Sequence, residues 1–77
     1  MEKLVDIFCR RYNLTRYKLA KITGISEQTW RAVNDRDLSK YTVKQIKAMG
    51  TAADISPDQV LKELLALQEA GVQNEIS

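Results

Sequence analysis

Histidine is absent from this chain, and cysteine occurs once, as Cys9. These absences exclude an intramolecular disulfide and a Cys/His zinc site. They also leave no nucleophile with a base to activate it, so we expect no enzyme, no catalytic residue, no small-molecule substrate, and no cofactor or metal. A reactive thiol is the alternative interpretation of Cys9. One unpaired thiol suits a reducing compartment, and we expect a cytoplasmic protein.

Long apolar runs are also missing. No stretch approaches the ~20 apolar residues that span a bilayer, and the N-terminal MEKLVDIFCRRY carries charges among its apolar residues. We therefore expect no membrane contact and no signal peptide. Three glycines and one proline in 77 residues, together with 44% apolar and 29% charged residues, make a globular rather than a disordered composition. The composition predicts a single folded domain over residues 1–71 and a frayed tail over 72–77.

Charge is distributed unevenly along the chain. Residues 1–47 carry eleven of the twelve Lys and Arg against five acids, a net charge of +6, whereas residues 48–77 carry one against five, a net charge of −4. A basic half suits a polyanionic partner. An ordinary solvated surface is the alternative, and charge alone does not decide between them.

A pattern typical of helix starts occurs four times. An apolar residue precedes a Ser or Thr cap, and another apolar residue follows at the fourth helical position, which is a hydrophobic staple around an N-cap. Pro57 and Gln59 add a favoured first residue and a predicted capping box to the last of them. The four instances are Leu14-Thr15 with Leu19, Ile25-Ser26 with Trp30, Tyr41-Thr42 with Ile46, and Ile55-Ser56 with Val60.

These starts, together with apolar spacing in the first twelve residues, predict five helices and no strand. Their expected ranges are about 2–11 or 12, 16–23, 27–34, 43–53 and 57–70, with Asn13 closing the first helix in a left-handed conformation. The predicted fold class is all-α, a compact five-helix bundle. Met1 is placed on the inner face of the first helix, and the predicted core comprises Val5, Phe8, Leu14, Leu19, Ala20, Ile25, Trp30, Val33, Ile46, Met49, Ile55, Val60, Leu61 and Leu64.

The segment RYKLAKITGISEQTWRAVND, which contains the second and third predicted helices, is typical of a helix-turn-helix. Ala20 permits close helix crossing, and Gly24 supplies the positive φ of the turn. With Trp30 and Val33 pointing inward, the first turns of the third helix face outward, where a helix of this kind reads base edges in the major groove.

The outward residues of that helix carry suitable chemistry. Gln28 can pair with adenine, Arg31 can pair with guanine and Glu27 can accept from cytosine, while Ala32 can contact a thymine methyl, and we expect these four to read bases. Polar residues of an ordinary solvated helix are the alternative interpretation. Flanking groups are predicted to contact phosphates; they are Arg16, Thr29, Asn34, Arg36, Lys40 and Lys44.

The last predicted helix has more leucine than one buried face requires. Leu65 and Leu67 form either a small homodimer contact or the edge of the core, and the sequence favours neither.

Three segments carry a resemblance to a known family. NLTRYKLAKITGIS, IKAMGTAADIS and SPDQVLKELL are similar, at the right separation, to the lambda repressor-like (Cro and repressor type) helix-turn-helix domains. The resemblance covers most of the chain. It implies a five-helix fold and binding to double-stranded DNA as a dimer or in tandem, usually to repress transcription. It places Glu27, Gln28 and Ala32 at base-reading positions and Arg16 at a phosphate contact.

The chain departs from the family pattern at several positions. Cys9 and Asn34 stand where many members carry an Arg–Glu tie between the first and third helices, and Asp54 replaces a helix-closing glycine. Asp35 and Asp37 put carboxylates beside the expected phosphate contacts. These two acids favour the alternative function, a protein-interaction module on the same scaffold, such as an antitoxin or a regulatory subunit.

Overall fold

The computed structural model describes residues 3–71, which are all-helical and contain no strand. This confirms the predicted fold class at the level of an all-α bundle. The predicted position of Met1, the start of the first helix near Glu2 and the tail at 72–77 lie outside the described residues. The helices are α1 (Leu4–Arg11), α2 (Arg16–Thr23), α3 (Glu27–Asp35), α4 (Val43–Ala53) and α5 (Pro57–Glu69), with a 3₁₀ turn at Leu38–Lys40 between α3 and α4.

All four predicted N-caps are present. The hydroxyls of Thr15, Ser26, Thr42 and Ser56 each accept a hydrogen bond from the backbone N–H three residues later. The capping box predicted at Ser56 is wrong, because the Gln59 amide donates to Glu63 over 2.8 Å instead of turning back. A complete box forms at Thr42, whose own N–H donates to the side-chain oxygen of Gln45 over 3.0 Å.

The core lies between the five helices, each of which contributes at least one fully buried side chain. Trp30 and Phe8 are its largest fully buried side chains. The prediction for Leu61 is wrong: it lies on the outer face of α5 and keeps 43% of its surface exposed, because Val60 and Leu64 already fill the inner face. Leu4 and Leu38 are buried although the periodicity did not place them in the core. The remaining predicted core residues are buried or packed against the core at its margin.

Two non-glycine residues close helices in the left-handed region. Asn13 has φ +58°, as predicted, and Asp54 ends α4 with φ +60°. Just before that end, Gly50 approaches the α4–α5 turn so closely that an added Cβ would lie 2.7 Å from the carbonyl oxygen of Ile55. The tight junction therefore requires glycine at position 50.

None of the helices within residues 3–71 combines the length and the apolar content that crossing a bilayer requires.

Candidate nucleic-acid interface

A three-residue turn joins α2 to α3. Gly24 ends α2 with φ +76°, in the left-handed region that favours glycine, and its N–H donates to the carbonyl of Ala20. Ser26 then caps α3 by accepting from the N–H of Thr29 over 3.1 Å. The turn therefore satisfies backbone groups on both sides and brings the start of α3 to the surface.

Thr23 connects the two helices and the turn, a role that the sequence analysis missed. Its hydroxyl donates to the carbonyl of Leu19 over 2.7 Å. The same oxygen accepts from the backbone N–H of Ile25 over 3.2 Å and from the indole N–H of Trp30 over 3.3 Å. A threonine late in a helix, seven residues before a buried tryptophan, is the only signal for it in the chain.

The two faces of α3 differ sharply. Trp30 and Val33 are fully buried, as predicted. Glu27, Gln28 and Arg31 are exposed, whereas Ala32, the fourth predicted base-reading residue, is half-buried.

The structure brings three of the predicted base-reading side chains together with one predicted phosphate contact. Glu27, Gln28 and Arg31 line a surface depression of about 290 Å³ whose other wall is Arg16. The Nε atom of Arg16 lies 3.5 Å from a carboxylate oxygen of Asp6. We call this depression, lined by those four residues, the α2–α3 depression. It presents two guanidinium groups, an amide and one carboxylate.

Asn34 does not serve as a phosphate contact, which corrects the sequence-based prediction. Its side chain is buried, and its oxygen accepts from the backbone N–H groups of Val5 and Asp6 over 3.0 and 3.2 Å. Its amide nitrogen donates to the Asp6 carboxylate over 2.9 Å. These bonds satisfy N–H groups in the first turn of α1, which otherwise has no side-chain cap. Asn34 therefore ties α3 to α1.

Thr29, a further predicted phosphate contact, is exposed in the first turn of α3. Its hydroxyl oxygen lies 2.9 Å from that of Ser26, so it lies at the capped end of the helix.

A second depression, of about 430 Å³, follows α3. It is lined by Asp35, Arg36, Asp37 and Lys40, so two predicted phosphate contacts lie beside the two acids that oppose them. The remaining predicted contact, Lys44, is exposed in the first turn of α4.

Both of those acids have partners within the protein. The ammonium of Lys3 lies 2.8 Å from the Asp35 carboxylate, and this hydrogen-bonded pair holds the pKa of Asp35 below its ordinary value. The hydroxyl and the backbone N–H of Ser39 both donate to Asp37 and lower its pKa as well. Each carboxylate is therefore ionised at neutral pH and engaged locally.

The two leucines for which the sequence left either a dimer contact or the core edge open differ in exposure. Leu65 is exposed, whereas Leu67 is partly buried and packs against the core. Since Leu61 is also exposed, the apolar pair on this surface is Leu61 and Leu65.

Cys9 is buried, with 2% of its surface exposed. Burial, with a smaller contribution from the charge of Asp6, raises its pKa to about 11. The side chain is therefore a neutral thiol at physiological pH, which does not favour the reactive-thiol alternative.

In comparisons with known proteins, no family model matches this chain and no curated protein sequence matches it.

Proposed function

We propose that this protein binds double-stranded DNA sequence-specifically through the major groove and acts as a transcriptional repressor or regulator. In this proposal α2 and α3 form a helix-turn-helix within a lambda repressor-like five-helix domain, and α3 is the recognition helix. The protein is not an enzyme in this proposal, and its partner is a nucleic acid duplex.

The observation that carries the proposal is the α2–α3 depression. Three side chains that hydrogen-bond to base edges, Glu27, Gln28 and Arg31, are exposed together on the first turns of α3. Directly behind them the buried Trp30 anchors the helix to the core. A rigid helix with its polar edge outward supplies the geometry that direct readout requires.

Cations on both sides of α3 support docking on a duplex. Arg16 lies at the start of α2, Lys40 ends the 3₁₀ turn, and Lys44 lies in the first turn of α4. Contacts of this kind fix the position of a protein on the phosphate backbone without reading sequence. The capped N-terminus of α4, with its capping box at Thr42, adds backbone N–H groups near Lys44.

The alternative, a protein-interaction module that does not read DNA, draws its support from Asp35 and Asp37. The ammonium of Lys3 offsets the charge of Asp35, whereas the Ser39 groups that donate to Asp37 are neutral and leave its charge in place. Asp37 therefore still opposes a nearby phosphate, but the exposed polar edge of α3 makes DNA binding the function that the geometry supports better.

Selection of bound sequences from a pool of random duplexes tests the proposal directly. We expect a recurring motif of a few base pairs, because each good bidentate pair discriminates by about 1–3 kcal/mol. Binding to the selected duplex is then measured at increasing salt concentration. Log K should fall linearly with log salt, because Lys and Arg side chains that contact phosphates displace counterions from the DNA.

Two results would contradict DNA binding. The first is a pool that shows no enrichment after repeated selection at low salt. The second is an affinity that does not change between about 50 and 200 mM salt, since a protein that neutralises several phosphates loses orders of magnitude over that range.

A further inference from the structure

Most large apolar side chains within residues 3–71 are buried or partly buried, and those that stay exposed fall mainly on two helices. Tyr17 and Ile22 lie on α2 with 59% and 51% of their surfaces exposed, and Leu61 and Leu65 lie on α5 with 43% each. Val43, at the start of α4, is the fifth. Two separate helix faces therefore each present a pair of large apolar side chains to solvent.

The face on α2 is basic. Four residues of α2 are exposed: Tyr17, Lys18, Lys21 and Ile22. They share one side of the helix, because positions one, four and five residues after Tyr17 lie within half of the helix circumference. The ammonium of Lys21 lies 5.6 Å from the centre of the Tyr17 ring. No acid occurs in α2, so this surface, which we call the basic α2 face, carries two positive charges around an apolar pair.

The face on α5 is acidic at both ends. Asp58, Leu61, Leu65 and Glu69 are exposed and follow one another at spacings of three, four and four residues, which aligns them on one side of the helix. Lys62 shares this side near its middle. We call the line of four residues the acidic α5 stripe. Its leucines lie between two carboxylates.

We propose that the basic α2 face of one copy of this protein binds the acidic α5 stripe of a second copy. Tyr17 and Ile22 would cover Leu61 and Leu65, and Lys18 and Lys21 would lie near Asp58 and Glu69 of the neighbour. The apolar pairs leave water together, and the charges of the two faces are opposite in sign.

Charge also argues against the symmetric alternative, in which α5 pairs with α5. An antiparallel arrangement that places Leu61 opposite Leu65 also places Asp58 within one residue of Glu69 of the second copy. A parallel arrangement places each acid opposite its own equivalent. Both modes bring like charges together, which opposes association. The contact between α2 and α5 avoids this, and because it joins two different surfaces it permits chains of more than two copies.

Sedimentation equilibrium without DNA, over a concentration series, tests the contact in a charge-swap design. One variant carries Lys18→Glu and Lys21→Glu, and the other carries Asp58→Lys and Glu69→Lys. Each variant alone should lose association by on the order of tenfold or more, since its two faces then carry like charges. An equimolar mixture should regain the weight-average mass of the wild-type protein, because each altered face meets an oppositely charged partner.

The remaining outcomes decide against the contact. A wild-type protein that stays monomeric up to millimolar concentration overturns it, as does a mixture that associates no better than its components. If the Lys18→Glu/Lys21→Glu variant associates like the wild type while Leu65→Ser does not, the interface is α5 against α5. Helical circular dichroism of each variant establishes that it is folded. Because no DNA is present, none of these results depends on the proposed function.

Discussion

The indole N–H of Trp30 donates to the hydroxyl of Thr23 over 3.3 Å, and this bond joins the largest buried side chain of the core to the last residue of α2. The same hydroxyl accepts from the N–H of Ile25 in the turn. The position of α3 on the bundle therefore depends on one oxygen atom as well as on the burial of an aromatic ring.

Thr23→Val should destabilise the fold by about 1–3 kcal/mol, because it keeps the shape of the side chain while leaving the N–H groups of Trp30 and Ile25 without their acceptor. Thr23→Ser, which retains the hydroxyl, is the matched control and should lose much less. Urea denaturation followed by the fluorescence of the single tryptophan measures both variants. A Thr23→Val variant as stable as the wild type, with a loss only for Thr23→Ser, would show that the methyl group, and not the hydroxyl, matters at this position.

Asn34→Ala should lower the free energy of unfolding by about 1–3 kcal/mol, since the N–H groups of Val5 and Asp6 lose their shared acceptor. If Asn34 acts only within the fold, the slope of log K against log salt for DNA binding should stay unchanged when measured well below the melting temperature. Lys40→Ala is the comparison and should reduce that slope by about 1. A reduced slope for Asn34→Ala would indicate that Asn34 contacts a phosphate after all, in spite of its burial.

Gln28→Ala and Arg31→Ala should each relax the preference at one base pair of the selected motif, at a cost of about 1–3 kcal/mol on that motif and little on random duplex. Lys40→Ala should weaken binding to both duplexes alike, because a phosphate contact carries no sequence information. Competition binding with single-base variants of the motif measures each effect. Equal losses on the selected and random duplexes for Gln28→Ala would refute its assigned role.

Lowering the pH should weaken the contact that Glu63 makes between α1 and α5. Its carboxylate accepts hydrogen bonds from Tyr12, from Gln59 over 2.8 Å and from Arg11 over 3.3 Å. Partial burial acts to raise the pKa of Glu63, but these three bonds together bring it below its ordinary value. They favour the ionised form in the folded state, so their contribution is complete above the ordinary pKa and disappears as pH falls through the lowered one.

We therefore expect Glu63→Gln to be less stable than the wild type at pH 7, by on the order of 1 kcal/mol, with a difference that narrows below about pH 4. Thermal melts between pH 7 and pH 3 measure the two proteins side by side. Glu69→Gln, at an exposed position on the same helix, is the control; at protein concentrations low enough to keep the chain monomeric, it should show little difference from the wild type at any pH. A gap for Glu63→Gln that stays constant down to pH 3 would show that ionisation of this carboxyl is not what stabilises the contact.

The helix boundaries were accessible from the sequence because each depends on residues close in the chain. Thr15, Ser26, Thr42 and Ser56 cap through atoms three residues away, and Gly24 turns through its own backbone freedom. The same local logic failed at Gln59, whose amide reached forward to Glu63. Both candidate partners, the N–H of Ser56 and the carboxylate of Glu63, lie within four residues of Gln59, so spacing alone did not distinguish them.

For the candidate site, helical spacing was enough to predict that Trp30 and Val33 point inward and that Glu27, Gln28 and Arg31 point outward. Spacing could not reveal that Arg16 forms the opposite wall of the same depression, because that depends on how α2 lies against α3. It also could not distinguish Asn34 from its polar neighbours. The partners of Asn34 lie 28 and 29 residues away, on a helix whose approach no local pattern encodes.

The sequence by itself determined the five helices, four of their N-caps and the inner and outer faces of α3, since capping and amphipathic spacing act over one or two helical turns. Only the tertiary structure decided that Asn34 caps the N-terminal end of α1 and that Thr23 accepts hydrogen bonds from both the turn and the indole of Trp30. It also decided that Leu61, rather than Leu67, faces solvent. These outcomes depend on which surfaces meet when the helices pack. Packing is set by the complementary shapes of side chains far apart in the chain, and not by the order of neighbouring residues.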